Sequence, residues 1–313
     1  MQSSVFNRAM IRVADTTEVS GRVTADSIKN ELYANKQNNL WRLMCILAAV
    51  TLVPALAHAQ NNQGNGPTPI PGVGFTIFAD GGYLSPPTPG IITPTPLAAA
   101  GWTQNFPNRT SAGVVTFSIG GVISTRVTLS GTFTINPDGS MSSTVQQTSP
   151  PGFLLHFIGY PLPDNSLNAF IGTDPGGNVT GYNILGHGSV QNITLATLKG
   201  TYVSAEEGFH TDAQGNHPFS VAGHEFINGD GSAHGTVSYS IQGQIQQETN
   251  YTATFELVGD GSVYKTATTT QGLVTHYYLY PTPDGNYIAS VQSDAGSTLC
   301  GIFTRSQNQQ NQQ

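Results

Sequence analysis

A gapless internal repeat constrains this chain more than any other feature. Residues 113–140 align with 235–262 at an offset of 122, with 11 of 28 positions identical, among them Gly113, Val115, Gly121, Phe133, Asp138 and Gly139. Residues 156–181 align with 276–301 at an offset of 120, with 9 of 26 identical, among them His156, Tyr160, Pro161, Asp164, Asp174 and Gly181. Upstream, Gly74-Phe75-Thr76 answers Gly200-Thr201-Tyr202, and Gly101 answers Gly223. A chain with this pattern makes one folding unit twice, over 72–186 and 198–306, joined by a linker at 187–197.

The unit reads as antiparallel β-structure. Charged residues make up 9% of the chain, against about 25% in an average soluble protein. Gly, Ser, Thr, Asn and Gln take their place, which suits many short strands and turns and disfavours helices. Asp-Gly pairs at 80–81, 138–139, 230–231, 260–261 and 284–285 read as hairpin signals, because both residues tolerate the positive φ of tight turns. Between them the period is two: Val115, Phe117 and Ile119 share one face, Thr116 and Ser118 the other, and Val237, Tyr239 and Ile241 repeat the pattern. The second copy holds eight strand candidates, near 200–207, 217–227, 234–243, 248–258, 262–270, 273–280, 286–293 and 298–304. The fold expected is all-β, two tandem β-meanders closing as eight-stranded up-and-down barrels. Two-sheet sandwiches are the alternative, and a single 16-stranded outer-membrane barrel is a further one.

The first 59 residues are read as a leader. Residues 43–59, LMCILAAVTLVPALAHA, form a short apolar run after Arg42 and end in Ala57-His58-Ala59, the pattern of a secretory signal cleaved before Gln60. The expected location is therefore exported, periplasmic or extracellular. A Gly/Asn/Pro-rich linker follows at 60–71, and the Gln/Asn-rich 307–313 reads as a disordered polar tail. The exported part keeps five basic groups against fourteen acidic ones, a net charge of −9. That excludes nucleic acid as a partner. Only Cys300 survives cleavage, so no intrachain disulfide forms and stability comes from sheet packing. The first copy carries an extra segment, SPPTPGIITPTP at 85–96, read as an extended polyproline-like loop.

Candidate chemistry is sparse. Most positions shared by the copies are turn residues or apolar core residues. His156 and His276 are titratable, and each stands four residues before Tyr160 or Tyr280. With Tyr278 they form the candidate ligand-binding set, and Phe157 and Tyr277 are candidate aromatic walls. His210, His217 and His224, near His234, Glu206, Glu207 and Asp212, form a candidate metal set. If 200–210 and 217–227 pair as a hairpin, His210 and His217 flank its turn. No Gly-x-Ser-x-Gly elbow or phosphate-binding loop is present, and no catalytic residue or cofactor is assigned.

The Gly-Thr-Tyr/Phe openings and the Phe-x-x-x-x-Asp-Gly-Ser turns at 133–140 and 255–262 resemble those of secreted bacterial tandem β-repeat proteins with no characterised activity. The resemblance implies a fold and no reaction. Three functions remain open: a non-enzymatic binding module for a small apolar or sugar-like ligand, a structural or surface-interaction scaffold, and, least supported, an enzyme. Stable membrane insertion of the exported part is not expected, and the sequence leaves the oligomeric state open.

Overall fold

A computed structural model describes residues 74–84, 95–149, 151–162, 164, 166–175, 177–186 and 189–306. The leader, the first linker, residues 85–94 of the Pro-rich segment and the polar tail lie outside the described residues. The first copy contributes β1 (Gly74–Leu84), β2 (Thr95–Asn105), β3 (Thr110–Ile119), β4 (Val122–Ile135), β5 (Met141–Ser149), β6 (Pro151–Pro161), β7 (Leu167–Gly172) and β8 (Gly177–Gly186). The second contributes β9 (Gly200–Asp212), β10 (Gly215–Ile227), β11 (Ser232–Ile241), β12 (Gln244–Val258), β13 (Ser262–Thr269), β14 (Val274–Pro281), β15 (Tyr287–Gln292) and β16 (Ser297–Arg305).

Each copy closes on itself. All neighbouring strands are antiparallel, and the first strand pairs with the eighth: Phe75 to Leu84 run against Gly186 to Gly177, and Tyr202 to His210 against Arg305 to Ser297. Closure within each copy leaves no free sheet edge there. It replaces both the sandwich alternative and the single 16-stranded barrel.

The duplication extends to irregular features. The β3–β4 ladder slips between Val115 and Phe117, and the β11–β12 ladder slips between Val237 and Tyr239, the same positions at an offset of 122. Gly120 and Gly121 turn the first of these hairpins with φ of 57° and 79°, and Gln242 and Gly243 turn the second with 52° and 78°. Two successive positive φ angles match the right-handed twist of the flanking strands. Four of the five Asp-Gly pairs are turns. In three of them, at Asp138, Asp230 and Asp260, the carboxylate accepts from both the backbone N–H and the hydroxyl of the serine two residues on. At Asp284 it accepts from the backbone N–H of Asn286.

Asp80-Gly81 departs from the expectation. It lies inside β1, paired across to Ala99-Ala98 and to Gly181-Thr180.

The two barrels share a buried outer wall. Ile77, Ala79, Ala98, Ala100 and Val114 of the first pack with Tyr280, Ala289, Val291 and Cys300 of the second. The alanines keep the barrel 1 wall shallow. Polar groups at this seam are paired: Tyr280 Oη lies 2.7 Å from Thr116 Oγ1, Ser118 Oγ donates to Ser297 O, and Cys300 Sγ donates to Asp80 O. At its rim the Arg126 guanidinium meets Asp260 at 2.7 Å. Between the barrels, Val190–Asn192 and Leu195–Leu198 form short 3-10 turns, and Leu198 buries its side chain in the core of the second barrel.

Candidate functional site

Closing a period-two strand into a barrel sends alternate side chains inward. On β1 the inward set includes Phe78 and Asp80, and on β9 it includes Ser204 and Glu206. Asp80 pairs with Gly181 and Ala99, while Glu206 pairs with Gly301 and Val221, so the two acids occupy the same place in the two copies. Both are buried, and burial raises both carboxyl pKa values; for Asp80 the rise is well above the ordinary range. The facing glycines make room for them. A Cβ at Gly181 would stand 2.9 Å from Asp80 Oδ1 and 2.6 Å from the Ala79 carbonyl; at Gly301 it would stand 2.7 Å from Glu206 Cγ and 2.1 Å from the Ala205 carbonyl. This accounts for Gly181 recurring as Gly301.

The copies then diverge. The second barrel is filled. Lys265 on β13 reaches Glu225 on β10 at 2.8 Å, with both side chains almost wholly buried. The rings of Tyr251, Phe255, Tyr277 and Phe303 surround the ammonium with centroids 5.0–5.8 Å away. Glu206 accepts a 2.5 Å hydrogen bond from Ser290. The space left beside Glu206 and Lys265 is about 50 Å³, which admits a water or two and no substrate.

The first barrel is hollow. Its interior holds a cavity of about 160 Å³, walled mainly by Phe78, Phe117, Phe153, Phe157, Phe170 and aliphatic side chains. The reason is visible position by position. Where the second barrel has Glu225 and Lys265, the first has Thr103 and Ser143; where it has Leu279, Ile288 and Phe303, the first has Gly159, Asn168 and Asn183. Leu279, Ile288 and Phe303 are all in the packed core. Two polar atoms face the hollow without a partner, Asp80 Oδ1 and Asn168 Oδ1. Their rows are adjacent: Asp80–Gly181–Phe170 is one, and Phe78–Asn183–Asn168 is the next inward one. A buried polar atom left unpaired costs about 1–3 kcal/mol, so the cavity presents two unmet hydrogen-bonding sites in an apolar wall.

The residues singled out from the sequence fall elsewhere. His156 and Tyr160 alternate with Leu155, Phe157 and Gly159, which line the cavity, so both point outward. His156 donates its backbone N–H and Nδ1–H to Asp174, and His276 does the same to Asp294. The recurring histidines are thus staples from β6 to the β7–β8 turn and from β14 to the β15–β16 turn. Tyr278 is stacked obliquely on Tyr264 on the outer face, and Tyr280 is buried in the seam between the barrels. The candidate ligand-binding set of His156, Tyr160, His276, Tyr278 and Tyr280 therefore stands outside the barrel interiors, one step of the alternation away from them. The inward neighbours Phe157 and Tyr277 do face the interiors.

The metal set is also dispersed. His210 and His217 are cross-strand partners, as their place beside a turn required, and His217 Nε2 lies 2.9 Å from Asp212. His217 Nδ1 is also bonded to Gln242. His224 stands seven positions further along β10, opposite Val203, in an outer groove of about 620 Å³ with His234 and Phe226. At about 3.3 Å per strand residue it cannot share an ion with the other two. Among the described residues no group of three His, Cys, Asp or Glu is placed to hold a metal. Cys300 is buried at the seam, where burial raises its thiol pKa.

Asp80 and Asn168, whose unpartnered oxygens face the cavity, were missed in the sequence reading. Extending the Gly74/Gly200 alignment by six residues would have set Asp80 against Glu206 and drawn attention to it.

No protein-family profile matches the chain, and no curated protein matches it. Among solved structures it is similar to a protein of Nitrosomonas europaea provisionally assigned as AttH, at 10% identity and a TM-score of 0.28, covering 79% of this chain and 98% of that one. It is also similar to a DUF3598-family protein of unknown function from Nostoc punctiforme, at 12% identity and a TM-score of 0.19, covering 75% and 96%. At these scores neither likeness carries an argument about function.

Proposed function

We propose that the protein is a non-enzymatic binding module that acts after export, with the first barrel as receptor for a small apolar molecule and the second as its packed structural partner. The observation that carries this is the contrast between the two interiors. The same architecture is filled in one copy and holds about 160 Å³ of empty space in the other. An unfilled cavity of that size forgoes about 4 kcal/mol of packing, at roughly 24 cal/mol per Å³. The second barrel supplies side chains that would recover it, so the hollow is a departure from the best packing of this fold. A dry cavity of about 150 Å³ is large enough to admit benzene.

The scaffold reading suits the second barrel taken alone, whose interior has no room for a ligand. In the second barrel the buried acids and Lys265 have no space beside them for a substrate.

The test is an exchange between copies. Gly159→Leu, Asn168→Ile and Asn183→Phe together place three of the second barrel's core side chains inside the first. The wild-type chain is expected to show saturable binding of toluene by calorimetry and a raised melting temperature in its presence. The triple variant is expected to lose both while unfolding as cooperatively as the wild type. Equal toluene binding by the two proteins would refute the assignment of the site to this barrel.

A further inference from the structure

The cavity's polar atoms restrict what it accepts, and this inference rests on the binding reading above. We infer that the first barrel selects an uncharged, ring-sized molecule carrying a hydroxyl group, and discriminates against carboxylates of the same size.

Three observations lead there. Five phenylalanines line the cavity, with Phe117–Phe153 and Phe157–Phe170 each meeting edge to face at 5.5 and 5.3 Å, an arrangement that welcomes another ring. The two unpartnered atoms ask for different things. Asn168 Oδ1 can only accept, so it requires a donor. Asp80 is buried without a basic neighbour in the cavity wall, which raises its carboxyl pKa and favours the protonated form, and a protonated carboxyl can donate to an oxygen. A hydroxyl is the simplest group that can answer either demand, accepting from Asp80 where it lies over Gly181 or donating to Asn168 where it lies over Gly159.

The third observation is the lack of positive charge. Among the described residues no Lys, Arg or His lines the cavity. In the first barrel Arg126 is paired with Asp260 at the seam, and Arg109 lies over the Phe133 ring beside the β2–β3 turn. A carboxylate entering this space would lose its hydration with no counter-charge to replace it. The second barrel shows the opposite arrangement, with Lys265 inside and acids around it.

The experiment titrates the full chain at neutral pH with toluene, phenol, benzaldehyde and benzoate, matched in size, by calorimetry. Phenol is expected to bind at least about tenfold more tightly than toluene, as expected when a buried unpaired group gains a partner. Benzaldehyde, which cannot donate to Asn168, is expected to bind more weakly than phenol, and benzoate is expected not to bind. In Asn168→Leu the advantage of phenol over toluene should shrink several-fold while toluene binding persists. Should that variant fail to fold, the four wild-type affinities decide the matter alone. Toluene binding as tightly as phenol would overturn the inference and mean that water serves the two polar atoms, leaving the binding reading intact. Benzoate as the tightest ligand would overturn it as well. No binding of any of the four, toluene included, would instead remove the binding reading on which the inference stands.

Discussion

Replacing Lys265 with Met tests whether the second barrel is held by its internal charge or merely tolerates it. Lys265 and Glu225 meet at 2.8 Å with side chains 4% and 1% exposed. Removing the lysine leaves a carboxylate that is wholly enclosed, and stranding a buried charge in this way costs about 3–5 kcal/mol. Domains of this kind are stable by about 5–15 kcal/mol, so the variant forfeits a large part of the total. For a folded unit of this size each kcal/mol moves the melting temperature by about 2–4 °C, which gives a fall of roughly 6–20 °C by circular dichroism. Glu225→Met should cost less, because Lys265 keeps the four rings around it. The double variant Lys265→Met/Glu225→Met should lose much less than the sum of the two single losses, since apolar side chains of similar volume replace a buried pair with little net loss or some gain. A Lys265→Met protein within about 1 kcal/mol of wild type, or a strictly additive double variant, would refute the reasoning.

The remaining predictions concern the differences between the copies. Tyr280→Ala should cost about 3–5 kcal/mol, because it empties the seam and removes the hydrogen bond to Thr116, whereas Tyr160→Ala, at a side chain 61% exposed, should stay within about 0.5 kcal/mol; urea unfolding compares them. Gly301→Ala should lose about 1–3 kcal/mol by the same assay, since its Cβ would meet the Ala205 carbonyl at 2.1 Å, and backbone cannot step aside. Burial raises the Asp80 and Glu206 carboxyl pKa values above 3.8 and 4.5, so the native state keeps protons that the unfolded chain releases. Their contribution to stability is fully present below those unfolded values and is lost as pH rises from there through the raised native ones, opposite in sign to that of a salt-bridged carboxylate. Asp80→Asn, measured by urea midpoint from pH 4 to 8, should therefore gain on the wild type as pH increases; a gap that stays constant would contradict the buried neutral carboxyl.

The fold was legible because its signals are local and doubled. Val115, Phe117 and Ile119 alternate, Asp138-Gly139-Ser140 turns, and each recurs at 237–241 and 260–262, so register and hairpin positions could be read twice. The site was less legible, for two physical reasons. A period of two does not say which face is inside, and His156 and Tyr160 fell on the outer face while Phe157 between them fell on the inner one. The Asp-Gly signal also has two meanings: at 138–139 it is a turn, but at 80–81 it is a buried acid on a strand beside a residue without a side chain. Nor does a cavity leave a motif. It arises from Gly159, Asn168 and Asn183 being smaller or more polar than Leu279, Ile288 and Phe303, a difference that acquires meaning only once those positions are known to share one interior.

The measurement that bears most directly on this account is a crystal of the protein under xenon pressure. Xenon enters dry apolar cavities of this size without needing any polar contact, so it reports the hollow itself and not the chemistry of a chosen ligand. The account predicts strong xenon density inside the first barrel, among Phe117, Phe153, Phe157 and Phe170, and little beside the charged groups of the second. Equal occupancy in the two barrels, or none in the first, would contradict the claim that one copy was hollowed to receive a ligand and the other filled to support it.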